Sequence, residues 1–305
     1  MQNTTRPAGI DYDLAHATAA RHRNPGLENT TDTRLAQLAV DLPKMAATAR
    51  GAAADWIGMP LPAEQDCRIE ITDYLGILQA QIDTLKSLIP RQARTSRWRS
   101  TLYGKAMAVP ANRMTALFND LNPNEMPYLL INAPRLMRRA VQAEAHKLTV
   151  DHLAMAICLH EETHRLQYLR WPWIASLRQR LVVDLDEARS ARNRQWIKAL
   201  RGQDLALRAL IEGHATVAEY DAMPELPVEQ LRAFADHPGP LRDRVAQAPL
   251  RRILRHYHDG EAFVRSAAAT LGWATFNELA WAGPENLPAL GEIRDPQRWC
   301  RRIAA

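Results

Sequence analysis

The run His160-Glu161-Glu162-Thr163-His164 sets two imidazoles four residues apart within an apolar stretch. On a helix that spacing is about one turn, so both rings stand on one face. Two imidazoles so placed can share a Zn²⁺ at roughly 2.0–2.1 Å each. Glu161, beside the first of them, carries a carboxylate that can take a proton from an attacking water. The chemistry to look for is therefore metal-dependent hydrolysis.

Such a site needs a third protein ligand and an open position. The extended motif with Gly and His three and six residues after the second His is excluded, because Gln167 and Arg170 stand there. A carboxylate from a second helix is the alternative. The run Asp204–Tyr220 has helical patterning, with Leu205, Leu207, Ile211, Ala215 and Ala218 as its apolar content. It holds Glu212 in a segment where an unpaired carboxylate would be costly and a metal would compensate it. His214 competes for the same role. Two residues on, it is turned by about 200°, so one unbroken helix cannot present both. Glu212 is favoured, with His214 supporting a ligand or packed elsewhere. Glu219 lies two turns along on roughly the Glu212 face, where it either orients a metal-bound His or ends a solvated helix. Gly213 weakens its helix by about 1 kcal/mol relative to Ala, which a close approach to the His160 helix would explain.

The first metal-bearing helix should begin after Thr149 as N-cap, with Asp151 in its first turn. Leu153, Ala156, Ile157, His160 and His164 keep helical spacing. Pro172 stops it at Trp171, after about five turns. Ile174–Leu200 reads as a long charged helix leading to the second. Thr33–Trp56 reads as an alanine-rich helix interrupted by Pro43, and Glu64–Ile89 as a long amphipathic helix with Ile71, Leu75, Leu78, Ile82, Leu85 and Leu88 at core spacing. Arg97–Phe118 reads as helical but divided by Pro110. Pro134–Ala145 and Leu250–Leu271 are helical, and Tyr128–Asn132 is the one strand candidate. The expected organisation is a flexible segment 1–30, a helical subdomain 31–123 and a metal-binding core 124–305.

Longer stretches carry a resemblance. Leu159–Tyr168, then Trp171-Pro172-Trp173-Ile174 and Ile211-Glu212-Gly213-His214-Ala215, resemble a family of zincin-like metallopeptidases associated with deazaflavin-coenzyme biosynthesis. Tyr257-His258-Asp259-Gly260-Glu261-Ala262-Phe263-Val264 also resembles that family. So do Phe276-Asn277, Trp281, Pro284-Glu285-Asn286-Leu287-Pro288, Glu292-Ile293, Asp295-Pro296 and Trp299. The likeness runs from about Leu148 to Ile303. It implies a mainly α fold, a zincin-like helical core with at most a small hairpin or short sheet. It also implies Zn²⁺ held by His160, His164 and Glu212, with Glu161 as acid/base. Thr216 departs from the family, whose members often carry Asp there. In zincins a strand edge can bind extended substrate by main-chain pairing, a role open to Tyr128–Asn132.

A second donor for a developing oxyanion is often a Tyr or a protonated His. Tyr257 fits that role and the family element; His256 and His258 flank it. At 305 residues and 47% hydrophobic, the chain can bury one large core or two linked subdomains. No apolar run reaches about 18 residues, which argues against a membrane-spanning helix. The polar first thirty residues lack the apolar centre of a secretion signal. Cys67, Cys158 and Cys300 are too few and too scattered for a disulfide framework. Cys158 should point away from His160. Together these favour a reducing cytoplasm. The net charge of +5 comes mainly from arginines interleaved with acidic residues, which argues against a nucleic-acid partner. The expected partner is a peptide or a small amide-like substrate. Three readings stand: a metallopeptidase, a zinc enzyme of small-molecule metabolism, and a metal-bound binding protein. An intact Glu161 argues against the last.

Overall fold

The computed structural model describes residues 11–21, 33–60, 68–89, 100–101, 115–119, 128–235 and 251–304. These are mainly helical, with one three-stranded sheet among them. The chain forms two compact units, each gathered from separate stretches: Met1–Pro43, Glu64–Arg139 and Arg178–Ile197, and Lys44–Ala63, Ala140–Leu177 and Lys198–Ala305. The boundary expected at 123/124 lies outside the described residues.

The first unit holds the sheet. Helix α1 (Tyr12–Ala20) starts where the Asp11 carboxylate accepts the N–H groups of Asp13 and Leu14. The sequence suggests a flexible segment here. Within it Ala15 and Ala19 are buried, and the Tyr74 hydroxyl donates a 2.9 Å hydrogen bond to the Ala19 carbonyl. The helix expected from Glu64 begins only at Tyr74. Residues Arg68–Thr72 form strand β1, and Asp73 caps α3 (Tyr74–Leu88) by accepting from the N–H groups of Leu75 and Gly76. Strand β3 (Tyr128–Asn132) is where the sequence places it. It pairs in parallel with β1, Ile69 opposite Leu129 and Ile71 opposite Ile131. On its other side it pairs antiparallel with β2 (Ala116–Asn119). Strand β2 falls in a stretch read as helical; pairing to a buried central strand overrides local preference. Tyr74, Ile77, Leu78 and Ile82 of α3 pack with Tyr12, Ala19 and Leu130.

Helix α2 (Thr33–Ile57) runs without a break through Pro43, and the division between the two units falls at that residue. Helix α4 (Ala133–Ala143) follows β3 directly. Helix α5 (Val150–Arg170) opens on a reciprocal cap. Thr149 Oγ1 accepts from the His152 N–H and His152 Nδ1 accepts from the Thr149 N–H, both at 3.2 Å. It ends at Trp171, before Pro172. One helix was expected over Ile174–Leu200. The structure has two, α6 (Trp173–Ser190) and α7 (Arg194–Asp221). Arg192 takes a left-handed φ of 53°, and Asn193 Oδ1 accepts the Trp196 N–H to restart the helix.

Helices α8 (Val228–Ala235), α9 (Arg251–Leu271), α10 (Trp273–Ala280), α11 (Leu290–Ile293) and α12 (Pro296–Ile303) complete the second unit. Its core includes the fully buried Phe263, Phe276, Trp281 and Trp299, with Trp299 Nε1 donating to the Asn286 carbonyl at 2.8 Å. Helices α7 and α9 touch backbone to backbone. A Cβ on Gly213 would collide with the Gly260 backbone, and one on Gly260 with the Ala209 carbonyl. The close approach expected of Gly213 is thus to α9 rather than to the His160 helix. Among the described residues no helix is long and apolar enough to cross a membrane.

Candidate metal centre

Helix α5 presents His160 and His164 one turn apart, and α7 sets Glu212 against both. Glu212 Oε2 lies 3.2 Å from His160 Nε2 and 3.2 Å from His164 Nε2. The two rings are nearly perpendicular, 88° apart with centroids separated by 4.7 Å. One donor atom from each of the three residues lies within 4.8 Å of the others. All three side chains are largely withdrawn from solvent.

The electrostatics follow from this convergence. Burial disfavours charge on Glu212, but the imidazoles of His164 and His160 outweigh it and hold its carboxyl well below the usual range. Burial likewise disfavours charge on His160. Hydrogen bonds to Glu212 and Glu219 override that and raise its pKa well above the ordinary imidazole value. Glu219 Oε2 lies 3.1 Å from His160 Nδ1. Of the two readings open for Glu219, the structure has the side chain against the imidazole. His164 Nδ1 faces Gln167 Oε1 at 2.9 Å. Both rings are therefore held by their Nδ1 atoms, and both Nε2 atoms point to Glu212.

His214 takes no part in that cluster. It is fully buried in an aromatic cage: Trp273 stacks on it at 5.5 Å, and Trp56 and Trp281 lie 5.1 and 5.3 Å away. Burial, with the nearby charge of His164, pushes its pKa down to about 3, against the opposing pull of a hydrogen bond to Asn277. It is a neutral packing histidine. Gln167 Nε2 and Asn277 Oδ1 hold its two ring nitrogens, each at 3.0 Å.

The rest of the motif is also placed. Glu161 is half-buried beside His160. Glu162 turns into the protein, 3.1 Å from Arg50 Nε and 3.5 Å from Arg165 Nη1. Its burial still raises its carboxyl above the usual value. Cys158 is buried, and that burial, with the carboxylates of Glu162 and Glu161, pushes its thiol up to about 12, which suits an inert packing residue. The side chains of His256 and Tyr257 on α9 lie outside the described residues, and His258 is exposed. The sequence reading passed over Gln167 and Asn277 as polar supports. Gln167 stands three residues after His164, on the same face, which is the signal that could have found it.

Residues 183–300 match a family model described as zincin-like metallopeptidase. The matched stretch contains Glu212, His214, Glu219 and Asn277 and follows His160 and His164 in the chain. It carries the zincin-like likeness and no deazaflavin association. A search of curated proteins found no match. A crystal structure from Chloroflexus aurantiacus, described as a candidate hydrolase with a novel fold, is similar in fold. Its TM-score is 0.74 at 24% identity, over 97% of this chain and 99% of that one.

Proposed function

We propose that this protein is a zinc-dependent hydrolase of the metallopeptidase type, acting on an amide bond in a peptide or a small amide-like substrate. The observation that carries the reading is the convergence of two imidazole nitrogens and one carboxylate oxygen within 4.8 Å of one another. The donor set suits the metal: two neutral nitrogens and one hard oxygen are a common catalytic zinc set. The spacing suits it as well. Zinc bonds of roughly 2.0–2.1 Å in a tetrahedron put ligand atoms about 3.3 Å apart, and the two N–O separations are 3.2 Å. Direct charge-assisted hydrogen bonds run shorter, at about 2.7–2.9 Å.

His160, His164 and Glu212 would hold the ion, and Zn²⁺ so held supplies a Lewis acid and brings the pKa of a water toward about 7. Glu161 takes a proton from the attacking water on its carboxylate and returns it to the departing nitrogen. Glu219 accepts from His160 Nδ1–H, fixing that ring and making its Nε2 a better donor. Tyr257 is assigned, from sequence alone, to donate to the developing oxyanion.

Metal content of purified protein, by elemental analysis after zinc is offered, tests this. Wild type should carry about one zinc per chain, and Glu212→Ala far less. Wild type without zinc would overturn the reading.

A further inference from the structure

Gln167 is fully buried, and both ends of its amide are in use. It stands in a chain of hydrogen bonds whose direction is fixed by two backbone carbonyls that can only accept. Asn277 Nδ2 donates to the Ile57 carbonyl at 3.2 Å. That turns Asn277 Oδ1, an acceptor, toward His214 Nε2 at 3.0 Å. His214 therefore has its proton on Nε2 and its lone pair on Nδ1. Gln167 Nε2 has two protons and two acceptors for them, the Ile211 carbonyl at 3.0 Å and His214 Nδ1 at 3.0 Å. Gln167 Oε1 is left to accept, and it faces His164 Nδ1 at 2.9 Å. His164 must then hold a proton on Nδ1, which leaves Nε2, the nitrogen facing Glu212, as the one whose lone pair the neutral ring can offer to a metal. Flipping the Gln167 amide would aim its oxygen at the Ile211 carbonyl and at the His214 lone pair. It would leave buried acceptors unpaired, a cost of roughly 1–3 kcal/mol for each group.

We propose that Gln167 is a positioning residue for the metal centre: it locks His164 in the Nδ1–H tautomer, and His214 and Asn277 hold Gln167 in the orientation that does so. The inference rests on the zinc reading above for its purpose but not for its geometry. It gives the buried His214 a task although it touches no metal. It also accounts for the aromatic cage, since a ring that must keep one tautomer has to be kept from water and from turning.

The test has two parts, both on the full chain. Nitrogen NMR of ¹⁵N-histidine-labelled, zinc-free wild type, at a pH where His164 is neutral, reads the tautomer directly. His164 should show its proton on Nδ1 and His214 on Nε2. Zinc affinity is then measured by competition with a chromogenic chelator. Gln167→Leu should bind zinc about 10–100-fold more weakly, the usual effect of losing a partner that orients a ligand. Gln167→Glu keeps the acceptor for His164 but loses both donors. It should unfold more easily than wild type and still bind zinc within a few-fold, a split that a merely structural role would not give. A proton on Nε2 of His164 in wild type, or undiminished affinity in Gln167→Leu, overturns the proposal. Wild type that takes no zinc but shows Nδ1–H on His164 overturns the zinc reading and leaves the tautomer lock standing.

Discussion

Replacing Gly213 with Ala adds one methyl group beside the proposed ligand Glu212, and the structure states where it must go. Its Cβ would meet the carbonyl carbon and oxygen of Gly260 and lie 2.7 Å from the Glu261 nitrogen. These are backbone atoms of a second helix, so no side chain can rotate away. Overpacking costs typically about 1–3 kcal/mol, and an obstruction made of backbone belongs at the upper end. Alanine returns about 1 kcal/mol through helix propensity. The net loss is about 2 kcal/mol, a fall of roughly 4–8 °C in Tm. Gly202 on the same helix supplies the control, since a Cβ there meets nothing within 4 Å. Gly202→Ala should gain up to about 1 kcal/mol by propensity alone. Thermal and urea unfolding of the zinc-free variants, followed by circular dichroism, should move in opposite directions. If Gly213→Ala melts at or above wild type, the backbone contact between α7 and α9 is not what the glycine serves.

Other substitutions probe separate parts of the argument. Glu161→Gln should keep its zinc by elemental analysis and lose at least about 10²-fold in amide cleavage, because only the proton carrier has gone. Glu219→Gln should weaken zinc binding about tenfold in chelator competition, since a neutral amide replaces the carboxylate that accepts from His160. Arg50→Ala leaves the buried Glu162 with only the longer contact to Arg165, so urea unfolding should show a loss of about 3 kcal/mol with zinc content unchanged. The Glu292 carboxyl is held low by the Arg302 guanidinium, against the opposing effect of burial. With its folded pKa below the unfolded one, its contribution is complete above the unfolded carboxyl range and is lost as pH falls through the folded value. The stability gap between wild type and Glu292→Gln should therefore close toward acid pH; a gap that widens there would contradict the assignment.

The cluster of His160, His164 and Glu212 was legible because its signal is local. Two histidines one turn apart and a carboxylate stranded in an apolar run can be read without knowing the fold. Strand Tyr128–Asn132 was legible because Leu129, Leu130 and Ile131 form a short apolar run, buried in the sheet. Its neighbours were not. Arg68–Thr72 and Ala116–Asn119 become strands only by pairing with it, a decision made at long range. The break at Arg192 was hidden because a left-handed arginine leaves no compositional mark. Gln167 and Asn277 escaped for a similar reason. An amide's worth depends on which acceptors surround it, and those come from Ile57 and Ile211, distant in the chain.

That distance has a consequence during synthesis. Asn277 lies 63 residues beyond His214 and 220 beyond Ile57, and it joins them. A chain leaving the ribosome at about 5–20 residues per second carries all three proposed zinc ligands for roughly 3–13 s before Asn277 is made. In that interval the Ile211 carbonyl alone orients Gln167, without the anchor that Asn277 supplies through His214. Zinc could be captured early, by a nascent chain whose ligands are present but not yet set. On the proposed zinc reading, the last helices would then turn a loosely held ion into one held in a single geometry.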